Sequence, residues 1–119
     1  MNFVFVFVTN ILCIMKNPDI IRELKNILKN VAPTASAILF GSRARGDNRE
    51  DSDVDLLILI DKDNMKYEDE SRITDPLYDF EFNNGVIMSP IVMTRQAWEE
   101  TKYRTTLYDE VARDGIRLL

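Results

Sequence analysis

Residues 54–60 read Val-Asp-Leu-Leu-Ile-Leu-Ile, and this run constrains the fold more than any other. A segment that short and apolar at nearly every position is a strand covered on both faces. It predicts a sheet with helices packed against it. A chain of 119 residues has room for one such domain. The neighbouring segments supply the layers. Asn17-Pro18-Asp19 is a helix start, with Pro at the first helical position and an acid in the first turn. Ile20, Ile21, Leu24, Ile27, Leu28 and Val31 follow at helical spacing, so residues 18–31 are predicted to form a helix that covers the core. Pro33 ends it, and residues 35–40 form a short apolar strand. Residues 41–52 are a polar turn region with room for one helical turn.

Beyond the central run the pattern is less regular. Residues 62–75 are charged, and read as helical or irregular. Residues 77–82 alternate, with Tyr78, Phe80 and Phe82 on one face and Asp79 and Glu81 on the other, which predicts a strand. Asn83-Asn84-Gly85 then reads as a hairpin turn, and residues 86–94 as the return strand. Pro90 inside that strand places it at an edge or a bulge. Thr94 can cap a helix carrying Trp98, and a helix over 105–114 is expected to end at Gly115 as a left-handed cap. Trp98, Tyr103, Leu107, Tyr108, Val111 and Ile116 are expected in the core or at a homodimer contact. The expected class is α/β (α+β), a small mixed β-sheet flanked by helices, with one domain over residues 15–119. Residues 1–14 are an apolar extension. They lack the basic start and small-residue cleavage site of a secretory signal, and are too short to span a bilayer as a helix.

Composition removes whole classes of chemistry. There is no histidine, which excludes His-based zinc sites and imidazole acid–base catalysis. Cys13 stands alone, so no intrachain disulfide forms and a cytoplasmic location is expected. The net charge of −5 argues against a protein that coats nucleic acid, and no DNA or membrane binding is expected. Chemistry must come from carboxylates, Lys, Arg, hydroxyls or a bound metal.

Residues 41–55 are where those groups concentrate, and three explanations compete. Gly41 and Gly46 have the spacing of a P-loop, but Asp47 and Asn48 follow where Lys and Ser or Thr are needed. Asp51, Asp53 and Asp55 match the start of a calcium loop, but Leu56 and Lys62 stand where Gly and Glu belong. The third explanation is a metal-dependent nucleotidyl transfer site. Asp53 and Asp55 are two apart at a strand start, so both side chains leave the same face. Their α-carbons should lie about 6.5–7 Å apart, close enough to converge on one metal or on two. Without a cation, two anions beside an apolar strand repel each other and lose hydration. Mg²⁺ is hard, prefers oxygen, and bridges carboxylates to phosphates. Gly41 allows close approach of a phosphate, Ser42 offers a hydroxyl and an N–H, and Arg43 or Arg45 can clamp a phosphate. Asp47 and Asp51 read as solvated.

Gly41-Ser42, ten residues, then Asp53-Val54-Asp55 resembles the signature of the polymerase-β-like nucleotidyltransferase superfamily, and most of all its small members, the minimal nucleotidyltransferases. The resemblance implies a small mixed sheet flanked by helices. It also implies transfer of a nucleoside monophosphate from an NTP, most simply ATP, to a hydroxyl, with Mg²⁺ and a two-metal site. Asp53 and Asp55 would then be metal ligands and Gly41, Ser42, Arg43 and Arg45 nucleotide-binding residues. A third carboxylate on a neighbouring strand is implied too, and Asp79 and Glu81 are its candidates. Small members resembling this chain pair with helical HEPN-type partners as antitoxins, adding AMP to a tyrosine. The competing reading is a non-catalytic partner-binding module on the same fold.

Overall fold

The structure, a computed structural model, describes residues 18–49 and 51–119. The expected extension over residues 1–14 therefore lies outside the described residues. Helix α1 (Pro18–Val31) turns Ile21, Leu24 and Leu28 inward and leaves Arg22, Glu23 and Lys29 in solvent. Strand β1 (Ser36–Phe40) leads to the short helix α2 (Ser42–Arg45), and β2 (Val54–Ile60) follows. A long helix α3 (Tyr67–Asn84) connects β2 to β3 (Met88–Thr94). Two helices, α4 (Arg95–Glu100) and α5 (Thr106–Asp114), precede the two-residue strand β4 (Ile116–Arg117).

Among the described residues the strands form one sheet in the order β3-β2-β1-β4. β1 is antiparallel to β2 and to β4, while β2 and β3 are parallel. The sheet is mixed, as expected, and β2 lies inside it with both faces covered. Val54, Leu56, Ile58 and Ile60 join the larger core with α1 and α3. Leu57 and Leu59 join a smaller cluster with Phe40, Trp98 and Val111 on the other side. Each fully buried aliphatic side chain contributes about 1.5–3 kcal/mol. The near-continuous apolar run of β2 is what a two-sided position requires.

The predicted strand over 77–82 and its hairpin are absent: those residues are the last turns of α3. Ile73, Leu77 and Phe80 are buried at helical spacing, whereas Tyr78 and Phe82 face solvent. Asn83-Asn84-Gly85 ends the helix. Gly85 takes φ +66°, and its N–H donates to the Glu81 carbonyl at 2.9 Å. The alternation of aromatic and acidic residues was local, and the hydrophobic stripe of the longer segment set the structure. α3 thus serves as the crossover that parallel strands need. Pro90 lies on β3, an edge strand, where a missing N–H is tolerated.

Both C-terminal helices start at a threonine cap, of which Thr94 was expected. Thr94 Oγ1 accepts the Ala97 N–H at 3.0 Å, and Thr105 Oγ1 accepts the Tyr108 N–H at 3.1 Å. Gly115 departs from expectation, with φ −62° in extended conformation. It is small for another reason: a Cβ there would stand 2.4 Å from the Val111 carbonyl oxygen and 2.9 Å from Ile38 Cγ2. Trp98 and Val111 are buried as expected, but Tyr103 is exposed.

Candidate active site

β2 alternates, so Asp53 and Asp55 project on the face of Leu57 and Leu59, beneath α4 and α5. Asp53 is exposed and Asp55 half-buried at the mouth of the strand. β1 runs antiparallel beside them, with Phe40 opposite Asp55. The chain leaving β1 therefore turns directly over Asp55, and Gly41 makes that turn at φ +76°. A Cβ on Gly41 would lie 2.3 Å from Asp55 Oδ2. Only glycine satisfies both the positive φ and the carboxylate pressed against it. The two halves of the sequence motif, separated by ten residues, are thus in contact.

Ser42 opens α2, half-buried. The Gly41 carbonyl accepts from the Ala44 and Arg45 N–H groups, each at 3.1 Å, which fixes the short helix onto the turn. Arg43 does not face solvent. Its guanidinium is buried and donates through Nε (3.0 Å) and Nη2 (2.8 Å) to the Ser52 carbonyl, tying the start of the loop to its end. At the loop tip Ser52 Oγ accepts the Arg49 N–H at 2.8 Å. Arg45 is more open, with ion pairs to Asp47 (3.1 Å) and Asp114 (3.2 Å).

Burial pushes the Asp55 carboxyl above the usual carboxylate range, the charges of Asp53 and Glu110 push it further, and Arg45 opposes them. Glu110, on α5, was not singled out in the sequence, because nothing in its spacing connects it to β2. Two oxygen-donor side chains on one face suit a hard divalent cation.

Asp79 and Glu81 were expected on a strand beside this pair, and the structure places them on α3 instead. Asp79 lies over α1, near Glu23 and Ile27, on the opposite side of the sheet from Asp53 and Asp55. Glu81 Oε1 accepts the Met88 N–H at 2.7 Å and so holds the turn into β3. The strand that does neighbour the pair is β3, whose register sets Ser89 beside Asp55. Ser89 Oγ donates to Asp53 Oδ2 at 3.2 Å. Among the described residues no three acidic, His or Cys side chains gather closely enough to hold a metal, and neither Asp79 nor Glu81 joins the pair.

Residues 21–107 match the sequence model of the nucleotidyltransferase domain family. The chain belongs to that family. This nucleotidyltransferase is similar to a protein of Methanocaldococcus jannaschii that is named, provisionally, a protein adenylyltransferase. The two are 30% identical over 102 residues, covering 84% of this chain and 96% of the relative. A second M. jannaschii protein with the same designation is 44% identical over 46 residues, 39% of this chain and 46% of that protein. A CCA-adding enzyme of Thermoplasma acidophilum is 40% identical over 45 residues, 38% of this chain and 10% of that enzyme. The resemblance to the polymerase-β-like minimal nucleotidyltransferases holds, and with it an enzyme that acts on a nucleotide. Among the described residues no helix is long and apolar enough to cross a membrane.

Proposed function

We propose that this nucleotidyltransferase moves AMP from ATP to a hydroxyl group on a partner protein, with Mg²⁺ held by Asp53 and Asp55. The observation that carries the reading is the contact between Gly41 and the Asp55 carboxylate, which brings the Gly-Ser turn directly against the acidic pair. Near full-length similarity to a relative named as a protein adenylyltransferase supports AMP and a protein acceptor. The partner we assign is a small helical HEPN-type protein whose tyrosine receives the AMP, this chain acting as its antitoxin in the cytoplasm.

The roles divide by position. Asp53 and Asp55 are the cation ligands. The backbone at Gly41 admits the triphosphate, and the Ser42 hydroxyl and N–H bind its far end. Arg45, already partly in water, exchanges a surface acid for a phosphate oxygen. Arg43 acts at one remove, by fixing the loop that delivers Asp53. When bound, a divalent cation supplies charge neutralisation of the phosphates and alignment for in-line displacement. The acceptor oxygen forms a bond to the α-phosphorus, the bond to the bridging oxygen breaks so that pyrophosphate leaves, and the acceptor's proton passes to solvent water.

The test is ATP labelled on its α-phosphate, incubated with the chain, Mg²⁺ and candidate partners. Label is expected on the partner with the wild type and not with Asp53→Asn. Partner binding that survives Asp53→Asn, with no label moved by the wild type, would replace this reading with the non-catalytic binding module.

A further inference from the structure

Residues paired across a sheet project on the same face, so Ser89 shares the face of Asp53 and Asp55. Along β3 and the residue before it, Ile87 and Ile91 are the neighbours on that face, both exposed and neither able to bind a cation. The one side-chain oxygen that this strand brings to the pair is a neutral hydroxyl, and it already donates its proton to Asp53 Oδ2 at 3.2 Å. Two divalent cations about 4 Å apart repel strongly and are stable when several carboxylates bridge them. Two acids offset one cation. A hydroxyl adds no charge, and one turned as a donor toward Asp53 presents only its remaining lone pairs.

Resting on the reading of Asp53 and Asp55 as cation ligands, we propose that Ser89 is a positioning residue that occupies the third corner of the site. It orients the Asp53 carboxylate and limits this chain to a single divalent cation in its nucleotide complex. β3 then offers no carboxylate to receive the acceptor's proton.

The experiment counts Mn²⁺ bound by the full chain in the presence of α,β-methylene ATP, which cannot transfer its nucleotide, from the spectrum of the free ion. The wild type is expected to bind one Mn²⁺ per chain. Ser89→Ala should also bind one, but roughly three- to tenfold more weakly, as expected for loss of one hydrogen bond. Ser89→Asp should bind two. A wild-type count of two, a Ser89→Ala affinity equal to wild type, or a folded Ser89→Asp that still binds one would each overturn the proposal. The first two measurements stand even if Ser89→Asp does not fold. A wild type that binds Mn²⁺ and nucleotide no better than Asp53→Asn is a different failure: it removes the active-site reading itself, and Ser89's role with it.

Discussion

At the scale of single residues, Gly41 and Asp55 depend on each other. Gly41→Ala would place a Cβ against the carboxylate at a backbone conformation L-residues resist, with an expected cost of about 1–3 kcal/mol. Chemical denaturation should show that loss, and ATP binding measured calorimetrically should fall with it. Asp55 gives a prediction with a sign. Its carboxyl is held above the ordinary range, chiefly by burial and then by Asp53 and Glu110, so the folded chain keeps this proton to higher pH than the unfolded chain. Stability therefore falls as pH rises through that window, and the penalty persists at neutral pH. Asp55→Asn should melt about 2–5 °C above wild type at pH 7 without divalent cation. That gain should vanish near pH 3, where both states of the wild type are protonated. An equal gain at both pH values would mean that charge is not its cause.

Among the elements, the loop between β1 and β2 and the helix α3 differ in how they are specified. The loop is closed by Arg43 on the Ser52 carbonyl. Arg43→Ala should destabilise the chain by about 1.5–3 kcal/mol, the range for a hydrogen bond from a charged group. It should also raise KM for ATP, a pairing visible in denaturation and steady-state kinetics. The sequence pointed to both Arg43 and Arg45 as phosphate ligands because spacing does not show which guanidinium turns inward. Entry to α3 is held by Asp69, whose carboxylate accepts the Lys62 ammonium at 2.6 Å and the Lys66 N–H at 3.0 Å. Those bonds, the Lys62 one foremost, keep its carboxyl below the ordinary range. Its stabilisation is present above the ordinary carboxylate value and is lost as pH falls through the lowered one. Asp69→Asn should remove part of the acid-dependent loss of stability between pH 5 and pH 2, measured by urea unfolding at stepped pH. The far end of α3 was misread because three aromatics alternate with acids just ahead of Asn-Asn-Gly. The burial of Ile73, Leu77 and Phe80 outweighs that signal.

For the whole molecule, replacing a hairpin by a crossover changes which residues meet. α1, β1, β2, the mixed sheet and the Gly-Ser to Asp-x-Asp contact were legible, because each rests on a periodicity or a motif contained in one segment. The partner strand of β2 was not. An antiparallel hairpin would have presented Asp79 or Glu81 to the site, whereas parallel pairing presents Ser89, and pairing partners are fixed by packing at a distance along the chain. The C-terminus was also unforeseen. Ala37 donates to the Leu119 carbonyl at 3.1 Å and Leu118 donates to the Ala37 carbonyl at 2.8 Å, so residues 116–119 close the edge of β1. Deleting them should lower the denaturation midpoint and, by opening an unpaired edge, cause concentration-dependent association seen in sedimentation.

The clasp from Arg43 to Ser52 makes the intervening segment a ruler. Both its ends are anchored, one by the glycine over Asp55 and one by the carbonyl just ahead of Asp53. Its exposed positions Asp47, Arg49 and Asp51 are free to vary in side chain, but its length is not. A single inserted or deleted residue between positions 47 and 51 would shift Asp53 out of step with its neighbours, while substituting the exposed Asp47, Arg49 and Asp51 would be tolerated. Nucleotide binding across a small library of such loops would separate the two cases.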